Sequence, residues 1–455
     1  MKALASELDD PAFVPRIPSL LGPEHPQRGS LADEVHARPS EALETPCRAT
    51  CVAKLIEPGE RAQEIQHLAA LCDLFSVDSP STDANHFVAE LGPLKLMWER
   101  HGEFSCYTFI VAGQSPDPFT EPPVLLLPSG WLAAIPGRVL VAAHAKVIAA
   151  PGEGIDAAFF ARHFGSNLVV GGDVGGHAGM AYTDFRMHGD GFSRFLLIDK
   201  GFTARQAGRM LQRLFEIETY RMMALLALPI ARRQTAGLVE IESALASVTA
   251  DIASGNGEDE ALLQKVTRLA AAIESALTAS QFRFGACRAY GELVETRIAE
   301  LRETRQPGIQ PVGEFMTRRF APAVATCAAV SQRLRELSER VSRAGALLST
   351  RVDIARERQN QALLGSMDRR AKAQLRLQQA VEGLSVAAIV YYAAGLLGYL
   401  VKGLKSAGAS VEPDLLIAAS IPLLFAAVII VTRRARHRLS RDDLNPHLPA
   451  PPGPQ

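Results

Sequence analysis

The chain has 455 residues, of which 47% are hydrophobic, 21% charged and 6% aromatic. Lys and Arg number 48 against 49 Asp and Glu, and so even a balance argues against a nucleic-acid binder, whose footprint is a basic excess. The apolar fraction excludes a chain disordered throughout, and the length suits roughly two to four structural units. Mean hydropathy is +0.06, and most of the apolar excess lies at the C-terminal end. Six cysteines, at 47, 51, 72, 106, 287 and 327, are too sparse for a disulfide scaffold. Cys47 and Cys51 have no second pair or nearby His to complete a zinc set and read as buried thiols. Met1 to Leu20 contains Glu7, Asp9 and Asp10 without an apolar core, unlike a secretory signal.

Residues 1–46 read as an extended lead-in. Within it, His25, Arg28, Glu34, His36 and Arg38 concentrate polar chemistry ahead of the first strand. On extended backbone Glu34 and His36 share a face, a spacing that could hold a metal or polarise an imidazole. The alternative is an ordered lead-in whose Arg and Glu pair while Arg38-Pro39 sets a turn. Both readings stay open.

Residues 47–200 alternate β-branched runs with Gly and Pro turns, which gives an α/β domain with a mixed sheet. The expected order is strand 47–57, helix 61–75 and strands 87–91, 94–100 and 104–111. It recurs as strand 139–149, helix 155–164 and strands 168–171, 178–187 and 192–199. Trp98-Glu-Arg-His101-Gly102-Glu103-Phe104-Ser105 resembles Phe185-Arg-Met-His188-Gly189-Asp190-Gly191-Phe192-Ser193. A duplicated β-α-β-β unit and convergent hairpin chemistry both explain the likeness. Gly171-Gly172-Asp173-Val174-Gly175-Gly176 precedes a strand rather than a helix, so it reads as a hairpin and not a phosphate loop.

Residues 201–322 are helical, with Pro229 as a kink or break and Ser254-Gly255-Asn256-Gly257 as a second break. Glu218 and Arg221, three apart, read as a helix ion pair. Residues 323–381 form a long stalk helix. Val330, Leu334, Leu337, Val341, Ala344 and Leu348 follow a 4-3-4-3-4 spacing, the seam of a coiled coil or long bundle helix. Leu363, Met367, Ala371 and Leu375 continue it at a spacing of four.

Residues 382–432 carry two uncharged runs, 383–401 and 415–432, each able to cross about 30 Å of hydrocarbon as a helix. Their flanks are Glu382, Lys402, Glu412, Asp414 and Arg433. Tyr399 reads as an interfacial anchor, Tyr391 and Tyr392 as facing a helix partner, and Pro422 as a kink. Arg369, Arg370, Lys372 and Arg376 precede the pair, and Arg433, Arg434, Arg436, Arg438 and Arg441 follow it, against Lys402 and Lys405 between. This bias places both termini in the cytoplasm. A basic, then Pro-rich tail, 433–455, closes the chain.

Further residues carry a resemblance: His25-Pro26, Glu34-Val-His36-Ala-Arg38-Pro39, Thr183-Asp184-Phe185-Arg186, Gly191-Phe192-Ser193-Arg194-Phe195, Glu216-Ile-Glu218-Thr-Tyr220-Arg221, and Val381-Glu382-Gly383-Leu384-Ser385 with Tyr391-Tyr392. Together they resemble a bacterial family of membrane-anchored proteins of unknown function, which implies a bacterial inner (cytoplasmic) membrane and no assigned activity or cofactor. The architecture also resembles CorA-type magnesium channels. However, their Gly-Met-Asn signature is replaced by Gly398-Tyr399-Leu400, and Lys402 would repel a cation at the mouth.

The expectation is therefore an α+β protein with an N-terminal mixed-sheet domain, a helical stalk and a C-terminal transmembrane hairpin. It would act as an oligomeric scaffold or regulator that binds a ligand or partner, with no catalytic set, no cofactor and no nucleic acid. The alternative is a divergent CorA-like channel whose partner is a divalent cation.

Overall fold

The computed structural model describes residues 25–34, 41–114, 119–152, 154–406 and 413–442. The chain divides into two compact units, Met1–Ala346 and Leu347–Gln455.

The first helix, α1 (Arg28–Glu34), corrects the extended lead-in. Arg28 N donates to His25 O, Leu31 N to Gln27 O, and His25 Nδ1 accepts from Gln27 N. The His25 ring thus satisfies an amide that a helix start leaves open. His25 and Arg28 are exposed. The placement of His36 and Arg38, and of the Glu34 side chain, lies outside the described residues.

Next come β1 (Cys47–Leu55), α2 (Arg61–Phe75), β2 (His86–Leu91), β3 (Leu94–Arg100), β4 (Phe104–Ala112) and the short α3 (Trp131–Ala134). They are followed by β5 (Arg138–Ala149), α4 (Ala157–Phe164), β6 (Val170–Val174), β7 (Gly179–Thr183) and β8 (Ser193–Asp199). Among the described residues the strands form one mixed sheet in the order β2-β3-β4-β1-β5-β8-β7-β6. One face is covered by α2 and α3, through Leu68, Leu71, Trp98, Phe109 and Trp131, and by α4, through Phe159, Phe164, Tyr182 and Leu196.

Each half places its last strand beside its first, and both hairpins share one bond, His101 N to Phe104 O and His188 N to Phe192 O. The likeness stops at strand direction. β4 runs antiparallel to β1, whereas β8 runs parallel to β5.

The glycine-rich run forms the β6–β7 hairpin. A Cβ on Gly172 would lie 2.5 Å from Thr304 O. That glycine lets residues 301–310 lie along the edge strand, where Thr304 N bonds Asp173 O and Gly171 N bonds Gln310 O. The strap covers an edge otherwise open to strand pairing.

The opposite face of the sheet carries α5 (Ala204–Leu225), which starts on a Thr203–Gln206 capping box. α6 (Leu228–Ser254) holds Pro229 in its first turn, where a missing N–H costs nothing. α7 (Asp259–Glu300) and α8 (Val312–Arg319) follow. α9 (Ala321–Ser406) joins the expected stalk and first span in one helix, and α10 (Pro413–Asp442) runs unbroken through Pro422.

Within the first unit the seam residues Val330, Leu334, Leu337, Val341 and Ala344 are buried by the chain's own helices. Arg333 pairs with Glu242 of α6, while a Cβ on Gly291 of α7 would lie 3.4 Å from Val324. The heptad spacing identified a covered stripe, and over these residues its cover is intramolecular.

In the second unit Tyr391 and Tyr392 are exposed and pack edge to face, 5.7 Å apart. Gly398 is the close approach of the helix pair, since a Cβ there would lie 3.4 Å from Ile417 Cδ1. Of the flanking charges, Glu382 and Lys402 lie in α9, Asp414 in the first turn of α10 and Arg433 further along it. Glu412 lies outside the described residues.

Candidate functional site

α5 places the Glu216–Arg221 segment over the sheet, where Glu216, Thr219 and Tyr220 line one cavity and Arg221 another. The first is narrow, about 40 Å³, between α5 and strands β1, β3 and β4. Cys51, Glu99, His101 and Cys106 line it from the sheet, and Glu216, Thr219 and Tyr220 from the helix. Gly208 closes one end, because it lets the Glu41–Leu43 segment cross α5. Leu43 N bonds Ala204 O at 2.9 Å, and a Cβ on Gly208 would lie 1.8 Å from Glu41 O.

The chemistry of this cavity is restrained. Burial pushes the Glu216 carboxyl up, and its ion pair with Arg297 pulls it back. Arg297 continues to Glu300 at 3.1 Å and Glu300 to Arg213 at 3.0 Å, so the charge sits in a paired chain. Burial, with the Glu216 charge adding to it, raises the Tyr220 hydroxyl, whose ring stacks on Tyr290. Cys51 and Cys106 lie 3.6 Å apart. That contact, then burial, raises Cys106 well above an ordinary thiol. Outside this cavity, at the start of β1, burial alone pushes Cys47 up to about 12. Such thiols stay protonated at neutral pH and are poor nucleophiles.

The second cavity, about 300 Å³, opens between the β7–β8 connection, α5 and α8. Its base is a strained turn: Phe185 has φ 49°, a left-handed backbone uncommon for a bulky residue. Neighbouring bonds hold it there. Thr183 Oγ1 accepts from Phe185 N at 3.2 Å, and Asp184 Oδ1 accepts from Arg186 N at 3.1 Å. Asp184 Oδ2 accepts from Asn167 Nδ2 at 2.7 Å and from His188 Nε2 at 2.9 Å. The turn sets the Phe185 ring against Phe315, centroids 5.3 Å apart and nearly parallel. Glu218 and Arg221 make the expected i, i+3 pair, a bidentate one with Nη2 on Oε1 at 2.7 Å and Nε on Oε2 at 3.1 Å. The Arg221 guanidinium stands 5.4 Å over the Phe185 ring.

The structure thus gathers Asp184, Phe185, Arg186, Glu218 and Arg221 from two separate motifs. It does not bring His25 or Arg28 to either cavity. His101 stacks on Phe104 and His188 holds Asp184, so the two hairpin histidines have different roles. Among the described residues, no group of three or more His, Cys, Asp or Glu is placed to hold a metal ion.

Sequence reasoning missed Glu64, fully buried in α2. Its Oε1 accepts from Trp98 Nε1 at 2.9 Å and Tyr107 OH at 2.7 Å, while Oε2 meets Arg61 at 3.1 Å. Phe315 and Arg319 of α8 were also missed, since nothing in their local pattern marks them.

Sheet, cavities and helices define an α/β domain on a chain with two apolar C-terminal helices. Among the described residues, two helices are long and apolar enough to cross a membrane. The family described as "Protein of unknown function (DUF3422)" matches residues 23–439, and the chain belongs to that family. No curated protein matches the chain.

Proposed function

We propose that this is a self-associating inner-membrane protein, a scaffold or regulator whose sheet domain binds a ligand on the cytoplasmic side. The observation that carries the reading is the cavity of about 300 Å³ built by two separated motifs, on a chain with two apolar helices in its C-terminal part. Arginines flank the helix pair and few basic residues lie between its members, which supports cytoplasmic termini.

Self-association is supported by the second unit. There Leu363, Met367 and Leu375 of α9 are 53–64% exposed, at a spacing that continues the seam. A second copy of the chain is the occupant that fits this stripe, as an added strand of a coiled coil.

Alkaline carbonate extraction of membranes, with light scattering of the detergent-solubilised full chain, tests the reading. Retention in the pellet and a mass above the monomer are expected. A chain released by carbonate, or a monomer at every concentration, would overturn it.

A further inference from the structure

The second cavity carries an unbalanced charge. Three guanidinium groups line it, from Arg186, Arg221 and Arg319, together with the buried carboxylate of Asp184. Asp184 accepts from Asn167, His188 and the Arg186 amide, and Glu218 is paired with Arg221, so the three arginines and two carboxylates leave one net positive charge. Arg186 and Arg319 are exposed, and neither has an ion-pair partner among the described residues. Arg221 spends Nε and Nη2 on Glu218, which leaves Nη1 without a protein acceptor among those residues.

Arginines are suited to oxyanions, because the planar fork meets two oxygens at once. A carboxylate brings one negative charge. A phosphate monoester brings about −1.5 to −2 at pH 7 and three acceptor oxygens, one for each of the three guanidinium donors where a carboxylate offers two. The apolar wall of Phe185, Phe315 and Leu225 then has a role for the organic part of such a molecule. The volume lies at the lower end of small-molecule sites, and strain of the kind held at Phe185 gathers at ligand clamps.

We infer that this cavity is a binding site for a small organic phosphate monoester, its phosphate held by Arg186, Arg221 and Arg319 and its apolar part against Phe185 and Phe315. The inference rests on the ligand-binding reading above and names the ligand class. The same phosphate chemistry is offered by a soluble metabolite and by the headgroup of phosphatidic acid.

The test is calorimetric titration of the detergent-solubilised full chain with phenyl phosphate, inorganic phosphate and benzoate at pH 7.5. Saturable phenyl phosphate binding is expected, with benzoate at least tenfold weaker. Arg186→Gln and Arg319→Gln, at exposed positions, should each weaken binding about tenfold while leaving the melting temperature unchanged. Lowering the pH from 7.5 to 5.5 should weaken it further as the phosphate takes up a proton, its second pKa being about 6. In phosphatidylcholine nanodiscs, competition by added phosphatidic acid marks the lipid as the source, and its absence marks a soluble one. No saturable binding by the wild-type chain, or equal binding by the double variant, overturns the site. Carbonate extraction reports on the anchored reading separately, so the two failures are distinguishable.

Discussion

Glu216 and Glu218 stand two positions apart on α5 and hold different arginines. Glu216 pairs with Arg297 of α7 and lines the narrow pocket over β1, β3 and β4. Glu218 pairs with Arg221, which lines the wider one beneath α8. A helix turns about 100° per residue, so positions two apart diverge by about 200° and point away from each other. The Glu216–Arg221 segment therefore works as a partition, and a change on one side of it should leave the other side intact.

Gly208 sets the first prediction. Alanine in a helix interior is favoured over glycine by about 1 kcal/mol, so Gly208→Ala would ordinarily stabilise α5. Here the added methyl would meet the Glu41 carbonyl oxygen, a backbone atom that cannot rotate away. The crossing segment must lift, which exposes buried Leu43 and breaks its bond to Ala204 O. A net loss of about 1–3 kcal/mol is expected, the scale of overpacking. Thermal unfolding of the full chain checks the sign, and new proteolytic cleavage near residues 41–43 checks the cause.

Glu64 gives a second, larger effect. Glu64→Ala strands the Trp98 N–H and the Tyr107 hydroxyl in a buried place and takes the counter-charge from Arg61, which keeps only Ser105 Oγ and the His101 carbonyl among its close acceptors. Breaking a buried pair from one side costs about 3–5 kcal/mol. Glu64→Gln retains a carbonyl oxygen for Trp98 and Tyr107 but turns an amide toward Arg61, so its loss should be smaller. Both tryptophans of the chain, Trp98 and Trp131, lie in this cluster, and intrinsic fluorescence reports its unfolding directly. Equal stability of the alanine variant would refute the network's role.

Legibility followed range. The two apolar helices were readable because each run of uncharged residues is a local property, and the strands of both halves because alternation and turn chemistry are local too. The Glu218–Arg221 pair was readable for the same reason. Glu64 was not, since an acid in the middle of a helix is ordinarily solvated, and only the docking of α2 on β3 and β4 buries it. The Val330–Ala344 seam was visible as a stripe, but spacing does not say whether its cover is the same chain or another. The widest gap was the second cavity: Phe315 and Arg319 belong to it only because the 301–310 strap returns α8 to the sheet.

His144 makes the fold sensitive to acid. It lies buried on β5, bonded through Nδ1 to Thr50 Oγ1 at 2.8 Å and stacked on Phe192 at 3.9 Å. Burial depresses its pKa to about 4, with Asp190 opposing and Arg194 assisting. In the unfolded chain the imidazole titrates near 6.5. Between those values the unfolded chain holds a proton that the folded chain refuses, so stability falls as pH drops from about 6.5 toward 4. The linkage is worth about 2 kcal/mol by pH 5. His144→Gln removes the titration, so the stability gap between wild type and variant should narrow from pH 7.5 to pH 5. A gap independent of pH would exclude this histidine as the source.

Asp184 should control the shape of the second cavity. Its carboxylate fastens Asn167 and His188 and accepts the Arg186 amide, which together hold Phe185 in a left-handed backbone. Such a conformation costs about 1–3 kcal/mol and persists only while its surroundings enforce it. Asp184→Ala releases three donors at once, and the strain gives Phe185 a reason to leave. The ring should part from Phe315, and amide hydrogen exchange should rise across residues 184–192 while β1 and β4 stay protected. Asp184→Asn keeps an acceptor for the Arg186 amide but puts an NH2 group among donors, so it should show the same change to a smaller degree. Unchanged exchange in the alanine variant would mean that the turn is held by the Phe185–Phe315 packing and the Thr183 hydroxyl rather than by the carboxylate.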